Sequence, residues 1–391
     1  MSAFAQEPNH FWNWLLERGL TSQANPEKFF PRKHYGEYLG SIADDLIKRE
    51  SATGRLRVIH DECVSIVPTA SGVELKLAGG ISLIAHAAVL AVGHDPEPAP
   101  AFAYATRIES EADDALDPQA RVLILGTGLS MIDAWLTLEH RGHRGEIVVV
   151  SRRGLLPLPH GDKRRPIPLD QADIFLGTEL SYFVRWFTRL VQDTERAGGN
   201  WRNVVDGLRP FNQMIWLNWS ASARRRFMEH VKPWWDIHRH RIAPDLHQRA
   251  MEAVRAGRLR LVAAKIVSVE RDGEGFHVWL RPRGSDRPED LAVSRIYDCT
   301  GIVKDLSEGS IRVVRDLIAR GLARPDPLRL GLDVTTECSV IDRDGIPSGR
   351  LFAIGPLTRG AFFEIDAVPD IRNQCARLAE LMAGNSSSHR A

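Results

Sequence analysis

Cysteine is scarce: Cys63, Cys299, Cys338 and Cys375 are the only four in 391 residues, and no two form a CxxC pair. This spacing supports neither a disulfide framework nor a thiolate zinc site. Net charge is nearly absent as well. Lys plus Arg is 51 against 50 Asp plus Glu, a formal +1, which argues against a dedicated nucleic-acid binder and against a disordered acidic chain. The longest apolar stretch, Gly80 to Val92, is broken by His86 and is too short to span a bilayer. The opening MSAFAQEPNHFW has no basic segment leading into an apolar one, so no signal peptide is predicted and a soluble cytoplasmic protein is expected. Hydrolase signatures are missing too, since neither GxSxG nor HExxH occurs. What remains is an ordinary globular composition, 43% hydrophobic and 26% charged, long enough for two or three domains.

Residues 8–19 carry Phe11, Trp12, Leu15 and Leu16 at helical spacing between Pro8 and Gly19. A second helix is predicted over about 33–50. Strand-like pieces follow at LRVIH (56–60), CVSIV (63–67), GVELKLA (72–78) and AAVLAVG (87–93), and HDPEPAPA (94–101) reads as a linker. RVLILG (121–126), a helix over about 129–141 and EIVVVSRR (146–153) then make strand, turn, helix, strand; such wholly apolar strands belong to a parallel sheet buried on both faces. Residues 154–250 interrupt this rhythm with six tryptophans and long helical stretches, and are read as a helical insertion. After it come RLRLV (258–262), KIVSVE (265–270), FHVWLRP (276–282) and RIYDCTG (295–301). The tail GNSSSHRA is expected to be disordered.

One internal repeat organises the chain. GRLRVIHDECVSIV starts at Gly54 and GRLRLVAAKIVSVE at Gly257; each precedes a hairpin-like pair and then an apolar strand ending in glycine, at Gly93 and Gly301. The second copy follows a Gly-rich turn, GTG at 126–128. The first copy follows only 53 residues, none forming an apolar strand with such a turn. Equivalent roles for the two copies predict that the first unit's opening strand, turn and helix lie upstream of Met1.

The strongest local signal is Gly126-Thr127-Gly128-Leu129-Ser130-Met131, directly after RVLIL and opening a helix. In a dinucleotide turn the first glycine makes the bend and the second lets backbone approach the pyrophosphate, while the helix N-terminus offers free N–H groups. Met131 stands where glycine or alanine is usual. At the end of the next strand, Ser151-Arg152-Arg153 replaces the acid that would take a ribose 2′-hydroxyl; two guanidiniums and a hydroxyl suit a 2′-phosphate, so NADPH is favoured over NADH. Glu146 sits at the wrong end of that strand. Lys163, Arg164 and Arg165 are read as surface charge or phosphate-steering residues. His238-Arg239-His240-Arg241 contains a His-x-His, but its arginines would repel a metal, so anion binding or packing is preferred. Arg224, Arg225 and Arg226, near the tryptophan-rich helices, read mainly as a solvated face; single-stranded nucleic acid is the competing thought, against which the net charge speaks. His94, His160, Glu364 and Asp366 are ionisable candidates that no spacing marks out. The loop 355–366, between a strand at 350–354 and a helix over about 368–383, suits either a ring or phosphate site or a terminal β–α packing unit.

LGTGLSMID (125–133), SRRGLLPLPH (151–160), KPWWDIHRHRIAP (232–244), PRKHYGEYL (31–39) and GPLTRGAFFEIDAVPDIRNQCARLAEL together resemble the bacterial FAD/NAD(P)-binding proteins related to FAD-dependent urate hydroxylase and to amino-acid N-oxidising flavin monooxygenases. The resemblance spans essentially residues 1–383. It implies an α/β fold of two Rossmann-like, three-layer dinucleotide-binding domains: a partial FAD domain over 1–100 and 301–383, and an NAD(P) domain over 118–300 carrying the helical insertion of about 154–250, with a disordered tail over 384–391. It also implies an FAD domain incomplete at its N-terminus, because the FAD GxGxxG is absent and Met1 matches an internal family position. Gly355-Pro356 departs from the usual Gly-Asp of flavoproteins. By position, Gly126, Thr127, Gly128, Leu129, Ser130, Ser151, Arg152 and Arg153 would hold NADPH; Met1 to Phe4, Gly355, Leu357, Thr358 and the 360–366 loop with Phe362 and Glu364 would lie near the flavin; and Val92, Gly93, Thr300 and Gly301 would sit at strand ends between domains. Arg239 and Arg241 are candidate substrate-anion anchors, and no catalytic residue or metal ligand is singled out. The implied activity is an FAD- and NADPH-dependent monooxygenation of a small, polar, nitrogen-containing substrate through a flavin C4a-hydroperoxide. An NADPH-dependent flavin reductase and a non-catalytic NADPH-binding module are the alternatives. Partners implied are the substrate and dioxygen, without nucleic acid or membrane.

Overall fold

The computed structural model describes residues 2–22, 30–95, 104–106, 108, 116–161, 165–300, 306–307 and 309–388. Met1, Lys163, Arg164 and Gly301, all named above, lie outside that set. In chain order the elements are α1 (His10–Glu17), α2 (Arg32–Ser51), β1 (Cys63–Pro68), β2 (Val73–Leu77), β3 (Ser82–Ala85), β4 (Ala88–Leu90), β5 (Val122–Leu125), α3 (Leu129–His140) and β6 (Ile147–Ser151). The helices α4 (Leu180–Arg196), α5 (Trp201–Leu208), α6 (Asn212–Asn218), α7 (Ala221–Arg226), α8 (Lys232–Arg239) and α9 (Pro244–Arg255) follow. Then come β7 (Leu259–Asp272), β8 (Gly275–Pro282), β9 (Glu289–Val293), β10 (Arg295–Asp298), α10 (Arg312–Ala319), β11 (Ser339–Ile341), β12 (Pro347–Ala353) and α11 (Val368–Ser388). No helix among the described residues is long and apolar enough to cross a membrane.

Two units emerge, one formed by Met1–Glu97 with Val303–Ala391, the other by Pro98–Ile302. The second unit is built on a six-stranded sheet in the order β10-β5-β6-β7-β8-β9. Its first four strands run parallel, and β8 and β9 continue antiparallel. Alternation sorts its side chains. Val122 and Ile124 face α3 and α9, packing with Met131, Trp135, Ala250 and Ala253. Leu123 and Leu125 face the other way, onto Val278, Leu280 and Leu291 of the meander. Period-2 strands covered on both faces are the expected core of a parallel α/β sheet. The 154–250 stretch is helical as read, from α4 to α9.

The first unit holds two three-stranded sheets, β1-β2-β3 and β11-β12-β4. In the latter, β12 runs parallel to β4 and antiparallel to β11. Ile66, Val73, Leu90, Val313, Leu317, Leu351, Ala353 and Leu378 form its main core. Phe11, Trp14, Leu15 and Tyr38 make a separate aromatic cluster between α1 and α2.

The repeat is visible in both units: β1-β2-β3 then β4, and β7-β8-β9 then β10, each a meander followed by a strand that pairs in parallel. The copies differ at their start. RLRLV and KIVSVE form one continuous strand, β7, whose first half runs parallel to β6 before its second half turns antiparallel against β8. LRVIH, expected as a strand, is irregular, and Val58 within it is 45% exposed. Among the described residues it has no parallel neighbour to supply ladder hydrogen bonds, and a strand does not stand alone. The expected disordered tail is helical as far as Ser388, because neither proline nor a left-handed glycine stops α11; residues 389–391 lie outside the described set. β3 and β9 are the second strands of the two expected hairpin-like pairs, whereas short β11 and the helix α10 were not anticipated.

Candidate functional site

In the second unit the turn between β5 and α3 is shaped by two glycines with different reasons to be glycine. Gly126 has φ +95, and an added Cβ would lie 2.4 Å from the carbonyl oxygen of Cys299, so no side chain fits. Gly128 caps α3 at φ −80 with nothing within 4 Å of a notional Cβ: its surroundings are open. No side chain caps α3, which leaves N–H groups of its first turn pointing outward, the ordinary arrangement for an anion at a helix N-terminus. Leu129 and Ser130 open this helix. Met131 is fully buried against Val122 and Ile124, filling with an unbranched side chain the helix–strand gap that a smaller residue would close by nearer approach.

Across the turn, Ser151 ends β6. Its Oγ accepts from Thr127 Oγ1 at 3.1 Å and from the Gly154 N–H at 2.9 Å, which leaves its own proton to donate. The two arginines that follow behave differently. Arg152 is exposed and has no hydrogen-bond or ion-pair partner among the described residues. Arg153 donates from Nη2 to the carbonyls of His230 at 3.0 Å and Glu229 at 3.3 Å, so its guanidinium ties the turn to the helical insertion. Glu146 lies at the opposite end of the sheet, held by Arg121 at 2.5 Å and Arg260 at 2.7 Å. After β10, Thr300 donates from N and Oγ1 to Asp298 Oδ1 at 2.9 and 2.6 Å, closing a tight turn at that strand's end.

In the first unit the carboxyl ends of β4 and β12 lead into loops where ligands of parallel sheets ordinarily bind. Gly93 (φ +70) and Gly355 (φ +71) both adopt the left-handed region with open space at the notional Cβ. The Gly355 N–H is already used, donating to Gln374 Oε1 at 2.7 Å. Thr358 Oγ1 donates to Gly355 O at 2.8 Å and accepts from Gln374 Nε2 at 3.0 Å. Thr358 and Gln374 are buried, as are Leu357 and Phe362; these residues build the platform of the loop and present little to solvent. Glu364 also has a positive φ, +62. Ser2 is buried, its carbonyl accepting from Arg372 Nη1 at 2.9 Å, while the Ala3 N–H donates to Tyr38 Oη at 3.1 Å.

Sequence reasoning named His94 and Asp366 without connecting them. Arg359 joins them: its Nε and Nη2 reach Asp366 Oδ1 at 2.9 and 2.6 Å, and Nη2 lies 3.4 Å from His94 Nδ1. Burial and then the Arg359 guanidinium hold His94 below the usual histidine range, against the opposing pull of Asp366. A separation of 265 residues between His94 and Arg359 carries no local signal. Asp326, likewise missed, is buried and accepts from the N–H groups of Leu328, Leu330 and Gly331.

The sequence profile of the family described as FAD-NAD(P)-binding matches residues 1–95. No curated protein sequence matches the chain. Among solved structures it is similar to the ornithine N-hydroxylase of Kutzneria sp. 744, solved with reduced FAD, NADP+ and L-ornithine, at TM-score 0.60 and 14% identity over 96% of this chain and 83% of that one. It is also similar to the L-lysine 6-monooxygenase of Pseudomonas syringae, at TM-score 0.56 and 17% identity over 96% and 80%. The FAD-bound cadaverine monooxygenase of Erwinia amylovora gives TM-score 0.56 and 15% identity over 95% and 77%. The chain therefore has the fold of the two-dinucleotide-domain flavoproteins and carries, in its first 95 residues, the sequence pattern of FAD-NAD(P)-binding proteins.

Proposed function

We propose that the protein is an FAD- and NADPH-dependent monooxygenase acting on a small, polar, nitrogen-containing substrate. The observation that carries the reading is the turn at 126–130 beside Ser151: a glycine that admits no side chain, a second with open space above it, an uncapped helix start and, next to Ser151, exposed Arg152 with no ion-pair partner among the described residues. Gly128 and the first turn of α3 would meet the pyrophosphate. Ser151 would donate its remaining proton to the adenosine side, and Arg152 would take the 2′-phosphate. Arg153, fixed to the insertion, holds the turn in place. In the first unit, Gly93 and Gly355 leave room at the strand ends for the flavin ring, over the platform of Leu357, Thr358 and Phe362. When bound, the two cofactors supply hydride transfer and oxygen activation, and the chain binds, orients and excludes water.

Two measurements test this. Arg152→Ala should weaken NADPH binding by roughly tenfold or more while leaving NADH nearly unchanged, since one charge-assisted contact to phosphate contributes about 1.5–3 kcal/mol; equal losses for both nucleotides would overturn the assignment. Incubation with FAD, NADPH and isotopically labelled dioxygen, using L-ornithine, L-lysine and cadaverine as probes, should give labelled hydroxylated amine. Stoichiometric hydrogen peroxide with no labelled product would assign flavin reduction instead.

A further inference from the structure

Two loops of the first unit hold one imidazole in a fixed pose. His94 follows Gly93 at the carboxyl end of β4, and the next residue pins the backbone there: Asp95 accepts from the Ser310 N–H at 2.7 Å and from the Ser310 hydroxyl. From the loop after β12, the parallel neighbour of β4, Arg359 grips Asp366 as a fork. Its Nε lies 2.9 Å from each carboxylate oxygen, and its Nη2 lies 2.6 Å from Oδ1. The same Nη2 meets His94 Nδ1 at 3.4 Å. The Arg359 side chain is 11% exposed against 52% for His94, so the fork is the buried part and the ring the open one.

A guanidinium carries protons on every nitrogen and has no lone pair to offer. The His94 Nδ1 that faces it is therefore the bare, accepting nitrogen, and the proton of the neutral ring sits on Nε2. The nearest oxygen of Asp366 is 3.8 Å from Nε2, too far for a hydrogen bond. Burial, and then Arg359, keeps the ring below the usual histidine range against the pull of Asp366, so it is uncharged at about pH 7. The ring's one lone pair is spent on Arg359, and the task left to it is donation. It stands beside Gly93, where a notional Cβ meets only open space.

We propose that His94 donates its Nε2–H to an acceptor on the flavin ring, with Arg359 and Asp366 as positioning residues that select its tautomer. This rests on the reading that FAD lies at the carboxyl ends of β4 and β12. An uncharged donor suits the carbonyl oxygens and nitrogens of an uncharged ring edge. Its hydrogen bond also strengthens as the ring gains electrons, so it favours the reduced flavin.

Two measurements test the assignment. In the flavin-free chain with isotope-labelled histidine, the His94 ring signals, assigned by their loss in His94→Gln, should show the Nε2–H tautomer alone at neutral pH. Arg359→Gln, whose amide accepts as well as donates, should bring in the Nδ1–H form. Mixed tautomers already in the parent, or no change in Arg359→Gln, overturn the positioning role. The second measurement is FAD titration followed by reductive titration of the bound flavin. His94→Leu should weaken FAD binding about fivefold, the loss of one neutral hydrogen bond, and lower the midpoint potential. His94→Gln keeps an N–H donor and should recover part of both. Equal FAD affinity and potential in the parent and His94→Leu overturn the assignment and leave the flavin reading standing. FAD bound by neither overturns both.

Discussion

At the scale of single residues, the two glycines of the β5–α3 turn separate folding from binding. Gly126→Ala places a methyl 2.4 Å from Cys299 O at φ +95, so both clash and a left-handed backbone oppose it. The expected loss is at least about 1–3 kcal/mol, seen as a lower thermal midpoint with or without nucleotide. Gly128→Ala meets nothing within 4 Å at φ −80 and should unfold like the parent, yet its methyl lies in the open space assigned to the pyrophosphate. Roughly tenfold weaker NADPH binding is expected, measured by titration of nucleotide fluorescence; unchanged affinity would move the pyrophosphate elsewhere. Spacing alone flagged both glycines, because a bend needs one and a close approach the other. It could not divide the arginines. Only the fold reveals that the Nη2 of Arg153 is tied to the carbonyls of Glu229 and His230 while Arg152 has no such tie among the described residues, since those carbonyls lie in an insertion more than 70 residues away.

Elements were legible where the signal is local. Apolar runs at 122–125 and 147–150 form the buried parallel strands, and the tryptophan-rich stretch is helical. LRVIH was misread because its counterpart becomes a strand only through β6; a strand is a property of two segments, and one sequence window holds half of the cause. The loop after β12 was legible as a loop, and its stiffness was not. Gln374, a polar residue on α11, supplies both an acceptor to Gly355 N–H and a donor to Thr358 Oγ1 inside the core. Gln374→Leu should leave the Gly355 N–H buried and unpaired, costing about 1–3 kcal/mol and loosening 355–358. Denaturant unfolding reads the first effect and amide exchange at Gly355 the second. An unchanged midpoint with a still-protected amide would mean that the turn holds itself.

At the scale of the whole molecule, histidines set the response to acid. His94, His143, His160 and His247 are all held below the ordinary histidine value, burial being the largest cause in each. His143 is the most sequestered, 6% exposed, with neither ring nitrogen hydrogen-bonded among the described residues. His277 is opposite: hydrogen bonds that it donates to Asp290, and then to Asp272, raise it, both ring nitrogens lying 3.0 Å from a carboxylate oxygen. The signs follow from proton counting. Where a folded value is depressed, the unfolded chain binds more protons just below about pH 6.5, so stability falls as pH falls through that window. For His277 the contribution is present in acid and lost as pH rises through its elevated value. Four against one, the denaturant midpoint should drop between about pH 7.5 and about pH 5.5. His143→Phe, an apolar ring of similar shape, should flatten that drop, and His277→Gln should steepen it by removing the histidine that favours the acid form. A midpoint that rises on acidification, or a slope indifferent to His143→Phe, would show that carboxylates and not these buried imidazoles govern the pH dependence of the fold.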